Sequence, residues 1–420
     1  MCLKFRFFSS YFNLSKTIRG AVGLALLVFL TFINATVAQG VEFGFAAGMG
    51  GTGGDSGYNI AVDEDGNVYT TGYFRGLVDF DPGVETTNIS SVGESDIFVQ
   101  KLDSSGALVW AKAVGGTELD RGNGIAVDAS GNVYSTGFFQ GVVDFDPGSG
   151  TVNLTSVGDF DIFVQKLDST GNFVWAKSMG STGTDAARDI VLDGSGDLYI
   201  SGYFSETIDF DPGSATTSFS SAGDYDIFAV KLDSAGDFVW ASTMGGAGKD
   251  FSYGIDVDDS ESVYTTGFFS GTADFDPKGG VSNLSSVGLE DIFVSKLDSA
   301  GNFVWARAIG GSGTDAAISI SVDGSGNVHT TGRFSGTVDF DPGAGTENLA
   351  SKGAYDIFVQ KLDSAGHFVW AGTMGNANND EGLSIAVDGA GNVYTTGYFQ
   401  ENVDFDPSLG STNLTSAGLS

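Results

Sequence analysis

Six aspartate pairs, each two residues apart, are the residues of this chain best placed to do chemistry. They are Asp79 and Asp81, Asp144 and Asp146, Asp209 and Asp211, Asp274 and Asp276, Asp339 and Asp341, and Asp404 and Asp406. Every pair sits in the same four letters, Asp-Phe-Asp-Pro, and all 6 prolines of the chain are spent there. Proline pushes the residue before it towards extended backbone, and in extended chain residues two apart point the same way. Asp144 and Asp146 therefore face one side and Phe145 the other. Two carboxylates held close repel unless a cation or backbone N–H groups satisfy them. Asp120 and Asp161 recur at the same period and are expected to join Asp144 and Asp146 on one rim. Calcium, which takes about six to eight oxygens in irregular cages, is the candidate ion for such a rim, with magnesium disfavoured. Capping of turns by aspartate side chains, with no ion, is the heavier alternative.

Other chemistry finds little footing. His329 and His367 are the 2 histidines, the first in place of a recurring tyrosine and the second in a turn. No Gly-x-Ser-x-Gly nucleophile elbow lies between strand and helix. The run Asp63-Glu64-Asp65-Gly66-Asn67 resembles a metal loop, but Asp128-Ala129-Ser130 and Asp323-Gly324-Ser325 lose the second acid, so a hairpin turn is expected there. The Asn-x-Ser/Thr triplets at Asn88, Asn153, Asn283 and Asn413 are read as polar loop chemistry first. The chain is expected to have no catalytic residues and no certain cofactor.

The elements that must position these residues follow from the period. Asp79, Asp144, Asp209, Asp274, Asp339 and Asp404 lie 65 residues apart, and Trp110, Trp175, Trp240, Trp305 and Trp370 keep that spacing. A fixed period overrides the length prior and points to one repeat assembly. Each repeat predicts four strands, for example 125–128, 133–139, 161–167 and 173–177, the second continuing through a glycine bulge towards Asp144. Apolar residues on successive positions, as in Ile162-Phe163-Val164, fit strands covered on both faces. The fold class expected is all-β, a β-propeller of four-stranded antiparallel blades with about six 65-residue repeats starting near 59, 124, 189, 254, 319 and 384. The tryptophans are expected to pack between blades. Residues 41–51 align with a fourth strand, Phe45 standing in the tryptophan place, and Ser420 falls one residue before the next third strand is due. The last blade is thus composite or incomplete, and the chain reads as cut short at its C-terminus.

Residues 1–38 differ in kind. Lys4, Arg6, Lys16 and Arg19 precede the apolar run 21–33 and the small residues Ala35, Thr36 and Ala38, the pattern of a secretory signal peptide. The propeller domain is then 39–420, exported and not membrane-spanning after signal removal, with no cysteine to form disulfides. Net charge is −34, and removing the signal's basic residues makes the rest more acidic still. No nucleic-acid partner is expected, since its phosphates would be repelled.

The runs Gly-Ile-Ala-Val-Asp-x-x-Gly-Asn-Val-Tyr-x-Thr-Gly at 124–137, Asp-Phe-Asp-Pro, Asp-Ile-Phe-Val-x-Lys-Leu-Asp and Gly-Asn-Phe-Val-Trp-Ala closely resemble the SBBP beta-propeller repeat of secreted bacterial proteins. The resemblance implies an extracellular or cell-surface location and supplies no catalytic residues. The function expected is a non-catalytic, monomeric interaction or adhesion scaffold for a protein or glycan partner, stabilised by calcium if the acidic rim binds it. The alternative is a polysaccharide lyase or glycoside hydrolase with its site at the ring axis, which several non-repeating acids or histidines in an asymmetric central cleft would favour.

Overall fold

The computed structural model describes residues 3–5, 45–407 and 410–417. The signal segment lies outside the described residues apart from Leu3–Phe5, as do positions 41–44 of the expected fourth strand and Ser420. Among the described residues there is no helix, and so none long and apolar enough to cross a membrane.

Each of the first five repeats is a four-stranded antiparallel meander. The second runs Arg121–Val127, Val133–Phe139, Asp161–Leu167 and Phe173–Met179. Alternating turns close it: the Asp128 carbonyl accepts from Gly131 N–H, and Gly131, at φ 77°, supplies the left-handed step that a side chain would resist. The second and third strands are buried on both faces, as their unbroken apolar runs require. The sixth repeat contributes Glu381–Val387 and Val393–Tyr398.

One expectation about these strands is corrected. The second strand does not continue to Asp144; it stops at Phe139, where Gly141, at φ 73°, turns the chain out of the ladder. Val142–Asp144 then pairs with Asn153–Thr155 as a separate small hairpin, so the polar connection predicted after Pro147 is part of a hairpin. That hairpin docks on the preceding repeat. Gly245 and Gly246, ending one fourth strand, pair with Asp274 and Ala273 of the next hairpin.

Repeats are joined in two further ways. First strands pack on one another in sequence order, and Ile125 shares a core with Tyr69 and Val99 of the repeat before it. Trp110 Nε1 donates to the Ser169 carbonyl in the next repeat's turn at 3.2 Å, as Trp305 does to Ser364. Phe45 occupies the tryptophan place: its ring lies over Gly106 as Trp110 lies over Gly171. Gly50 and Gly51 likewise pair with Asp79 and Val78, so the N-terminal segment ends as a fourth strand does.

In the sixth repeat, Leu3–Phe5 runs antiparallel to the second strand, with Leu3 opposite Thr395 and Phe5 opposite Val393. In complete repeats the third strand holds that register, Gln100 opposite Thr70 and Leu102 opposite Val68.

Candidate functional site: the axial bulge ring

The predicted rim residues are found tied to backbone. Asp144 Oδ1 accepts from Asp146 N–H at 3.1 Å and Val152 N–H at 2.8 Å, and Asp146 Oδ1 accepts from Gly148 N–H at 2.8 Å. Asp79 and Asp81, Asp209 and Asp211, and Asp339 and Asp341 repeat this pattern, as do Asp274 and Asp276 with Lys278 as the last donor. Phe145 is fully buried against Phe139 and Phe163, and its carbonyl accepts from Gln165 Nε2 at 2.7 Å. Each motif is thus a hairpin foot, with the phenylalanine as its anchor.

Asp120 and Asp161 also accept from backbone N–H groups. Asp120 is fully buried, accepts from Gly116 and Gln140 N–H, and has the Asp96 carboxylate as its charged neighbour. Asp161 accepts from Val157 and Gly158 N–H, and its charged neighbour is Asp185. The acids of consecutive loops therefore meet as pairs, Asp96 with Asp120 and Asp161 with Asp185. Burial pushes Asp120 up to about 6, against the two amide bonds that lower it. Among the described residues, no group of three or more acids, histidines or cysteines is gathered to hold a metal ion.

The two histidines and the Asp63 series are accounted for locally. Asp128 Oδ1 accepts from Ser130 and Asn132 N–H, and its Oδ2 from Asn132 Nδ2 and Tyr134 Oη, a capped turn. His329 replaces that tyrosine inside a blade, and His367 pairs with Asp363 in an exposed turn.

Sequence reasoning from recurrence passed over a second set of residues. In every first strand the register against the second slips by one residue: Gly57 faces Gly72 while Asn59 faces Thr71, and Ala187 faces Gly202 while Asp189 faces Ser201. The extra residue of each β-bulge is Tyr58, Asn123, Arg188, Tyr253, Ile318 or Leu383. A bulge re-aims a side chain out of the pleat. All six line one cavity of about 490 Å³ at the meeting of the first strands. The signal was present in the sequence: a small residue before and an invariant isoleucine two positions after, with a pair between them that never repeats (Tyr58-Asn59, Asn123-Gly124, Arg188-Asp189, Tyr253-Gly254, Ile318-Ser319, Leu383-Ser384).

Aromatic rings and arginines crowd the same end of the strands. Arg121 lies 4.8 Å from the Tyr73 ring centroid and 5.7 Å from that of Phe138. Arg188 lies 5.3 Å from Tyr203 and 5.5 Å from Tyr253. Arg333 stacks on Tyr355 and pairs with Glu381 at 2.7 Å. Deeper in the cavity wall, Asp189 accepts from Asn59 Nδ2 and Ile190 N–H on Oδ1 and from Ile255 N–H on Oδ2. Burial first, and the Asp256 carboxylate second, push it up to about 7.

Blade-like four-stranded meanders, joined edge to core with first strands innermost, define a β-propeller repeat protein. The SBBP beta-propeller repeat model matches residues 47–73, which span the first hairpin and the segment before it. The chain is similar to an uncharacterised WD repeat-containing protein of Acanthamoeba polyphaga mimivirus, 24% identical over 93% of this chain and 34% of that protein. It is also similar to the regulatory protein FlaEY of Caulobacter vibrioides, 28% identical over 41% of this chain and 18% of that one. The chain thus spans about a third or less of the length of either relative.

Proposed function

We propose that this chain is a six-bladed, secreted or surface-exposed propeller that acts as a monomeric, non-catalytic interaction scaffold and binds its partner at the axial bulge ring. One observation carries the reading: a chain that otherwise repeats closely breaks its pattern at the six bulge positions, and all six face one cavity. A repeated scaffold with one varied patch is how solenoid and propeller folds build binding surfaces. The sixth blade of this proposal is composite, its fourth strand drawn from the N-terminal segment that carries Phe45.

The alternative, a lyase or hydrolase, needs free acids at the axis. The acid lining the cavity is Asp189, and both of its oxygens are taken by N–H donors, so it braces strands and is not poised as a base. The rim aspartates, in this proposal, cap turns and do not hold calcium, since each already accepts backbone N–H groups.

Retention on cell-surface material and immobilised polysaccharides tests the reading. An Arg188→Ala/Tyr253→Ala variant is expected to lose retention while Asp146→Ala keeps it. Equal retention of the axial variant and the wild type, or release of new sugar ends by the wild type, overturns it. Recovery of the chain from the culture medium with its N-terminus near residue 39 checks export.

A further inference from the structure

We propose that the axial cavity recognises a carboxylate-bearing sugar, a uronate residue of an acidic polysaccharide, with Arg188 as its anion anchor. The inference rests on the axial reading above and names the ligand class.

The charge pattern comes first. The chain holds 53 acidic residues against 19 basic ones, and one of the few cations, Arg188, lines the cavity. Among the described residues, neither Arg121 nor Arg188 makes an ion pair within 4.0 Å. Both guanidinium groups lie over aromatic rings, Arg121 over Tyr73 and Arg188 over Tyr203 and Tyr253, and Nε of each is buried with no hydrogen-bond partner. Stacking fixes the plane of a guanidinium and leaves its edge for a planar, bidentate acceptor such as a carboxylate. Arg188 is a bulge residue, so its head is aimed at the cavity and not at the sheet.

The rest of the wall is mixed. Tyr58 offers a ring that is 48% exposed. Around it the lining joins the amides and hydroxyls of Asn59, Asn123, Ser319 and Ser384 to the apolar side chains of Ile60, Ile318 and Leu383, a two-sided surface that matches a pyranose. Flat rings pack against the C–H faces of a pyranose, and the polar groups meet its hydroxyls. A volume of about 490 Å³ lies within the range of small-ligand sites. The carboxylate of Asp189 lies beside the anchor, but its oxygens are turned to Asn59, Ile190 and Ile255, and burial holds it partly protonated near neutral pH. Its repulsion of an incoming anion is thereby reduced. The overall negative charge acts at longer range and is screened beyond about 8 Å at physiological salt.

Calorimetry of the full chain with trimers of galacturonate and of glucuronate, each beside its carboxyl-reduced neutral counterpart, tests the proposal. The acidic trimer is expected to bind at least about tenfold more tightly than the neutral one, with the difference shrinking as salt rises. Arg188→Met keeps the packed stem and is expected to erase that difference, while Arg188→Lys retains part of it; thermal melting of both variants checks that they fold. Equal binding of acidic and neutral trimers overturns the anion anchor while leaving the axial site in place. Binding unchanged in both Arg188→Met and Tyr253→Ala overturns the axial site as well. Failure of every trimer to bind, or preference for an acidic peptide with the same Arg188 dependence, overturns the sugar class.

Discussion

The side-chain amide of Asn59 donates to Oδ1 of Asp189 over 3.2 Å, joining the first repeat to the third. Oδ2 of the same aspartate accepts from Ile255 N–H of the fourth. One carboxylate thus ties three first strands at the cavity wall. Asp189→Ala leaves the Ile255 N–H and the Asn59 amide without their acceptor, and unsatisfied buried groups cost about 1–3 kcal/mol. A fall of that size in unfolding free energy, read by urea titration, is expected for Ala, with most of it restored by Asp189→Asn. A loss in Asn as large as in Ala would show that the charge, and not the acceptor geometry, matters.

Buried aspartates set the pH dependence. Burial raises Asp120, Asp185, Asp250 and Asp315 to about 6 and Asp226 to about 7, above about 3.9 in the unfolded chain. A carboxyl whose folded value is raised contributes stability that is full below the unfolded value and is lost as pH rises through the folded one. Melting temperature is therefore expected to fall between about pH 4 and pH 7. Asp323 behaves oppositely: burial would raise it, but the Asn327 side chain and the Lys361 ammonium outweigh that and hold it at about 2. Its contribution is lost below about pH 4, so the maximum lies in mildly acidic solution. Added calcium is expected to leave the fall by about pH 7 unchanged, because the rim carboxylates are already engaged. A rise in melting temperature with calcium, absent with sodium at equal ionic strength, would return the ion to the rim.

How much of this was legible depended on whether a feature recurs. The period fixes the Asp-Phe-Asp-Pro feet, and register alone puts Phe45 in the tryptophan place, because 65 residues of identical packing leave no other fit. The small hairpin was hidden because Gly141, a flexible residue in a strand-like run, reads equally as a bulge or as a turn. The axial ring was hidden for a deeper reason. Its residues differ from repeat to repeat, so a search for recurring letters passes over Tyr58, Arg188 and Tyr253. The sequence shows loops that share a rim, but not that the Asp96 carboxylate is a charged neighbour of Asp120.

His329 offers a gain of stability. In the other repeats a tyrosine hydroxyl donates to the turn aspartate, as Tyr264 does to Asp258 at 2.8 Å. His329 is buried, and burial pushes its pKa down to about 4. His329→Tyr is expected to restore the bond to Asp323 and raise stability by about 1 kcal/mol. Unchanged or lower stability in a denaturant titration would mean that Lys361, 3.0 Å from Asp323, has taken the tyrosine's place.

The first repeat's isoleucine reports on closure. Ile125, Ile190, Ile255, Ile320 and Ile385 are 4–6% exposed, each covered by the repeat before it, whereas Ile60 is 59% exposed and its neighbours Tyr58 and Val62 are open too. Covering comes from second and third strands, as Tyr69 and Val99 cover Ile125. In the sixth repeat the third-strand register is held by Leu3–Phe5 alone among the described residues. Ile125→Ala is expected to cost about 2–5 kcal/mol by leaving a cavity, and Ile60→Ala under about 0.5 kcal/mol, as for an open surface position. The two variants, unfolded in parallel in urea, measure how far the sixth sheet is filled. A cost at Ile60 approaching that at Ile125 would mean that a strand in the third-strand register covers it in solution, and the blades would then close into a full ring.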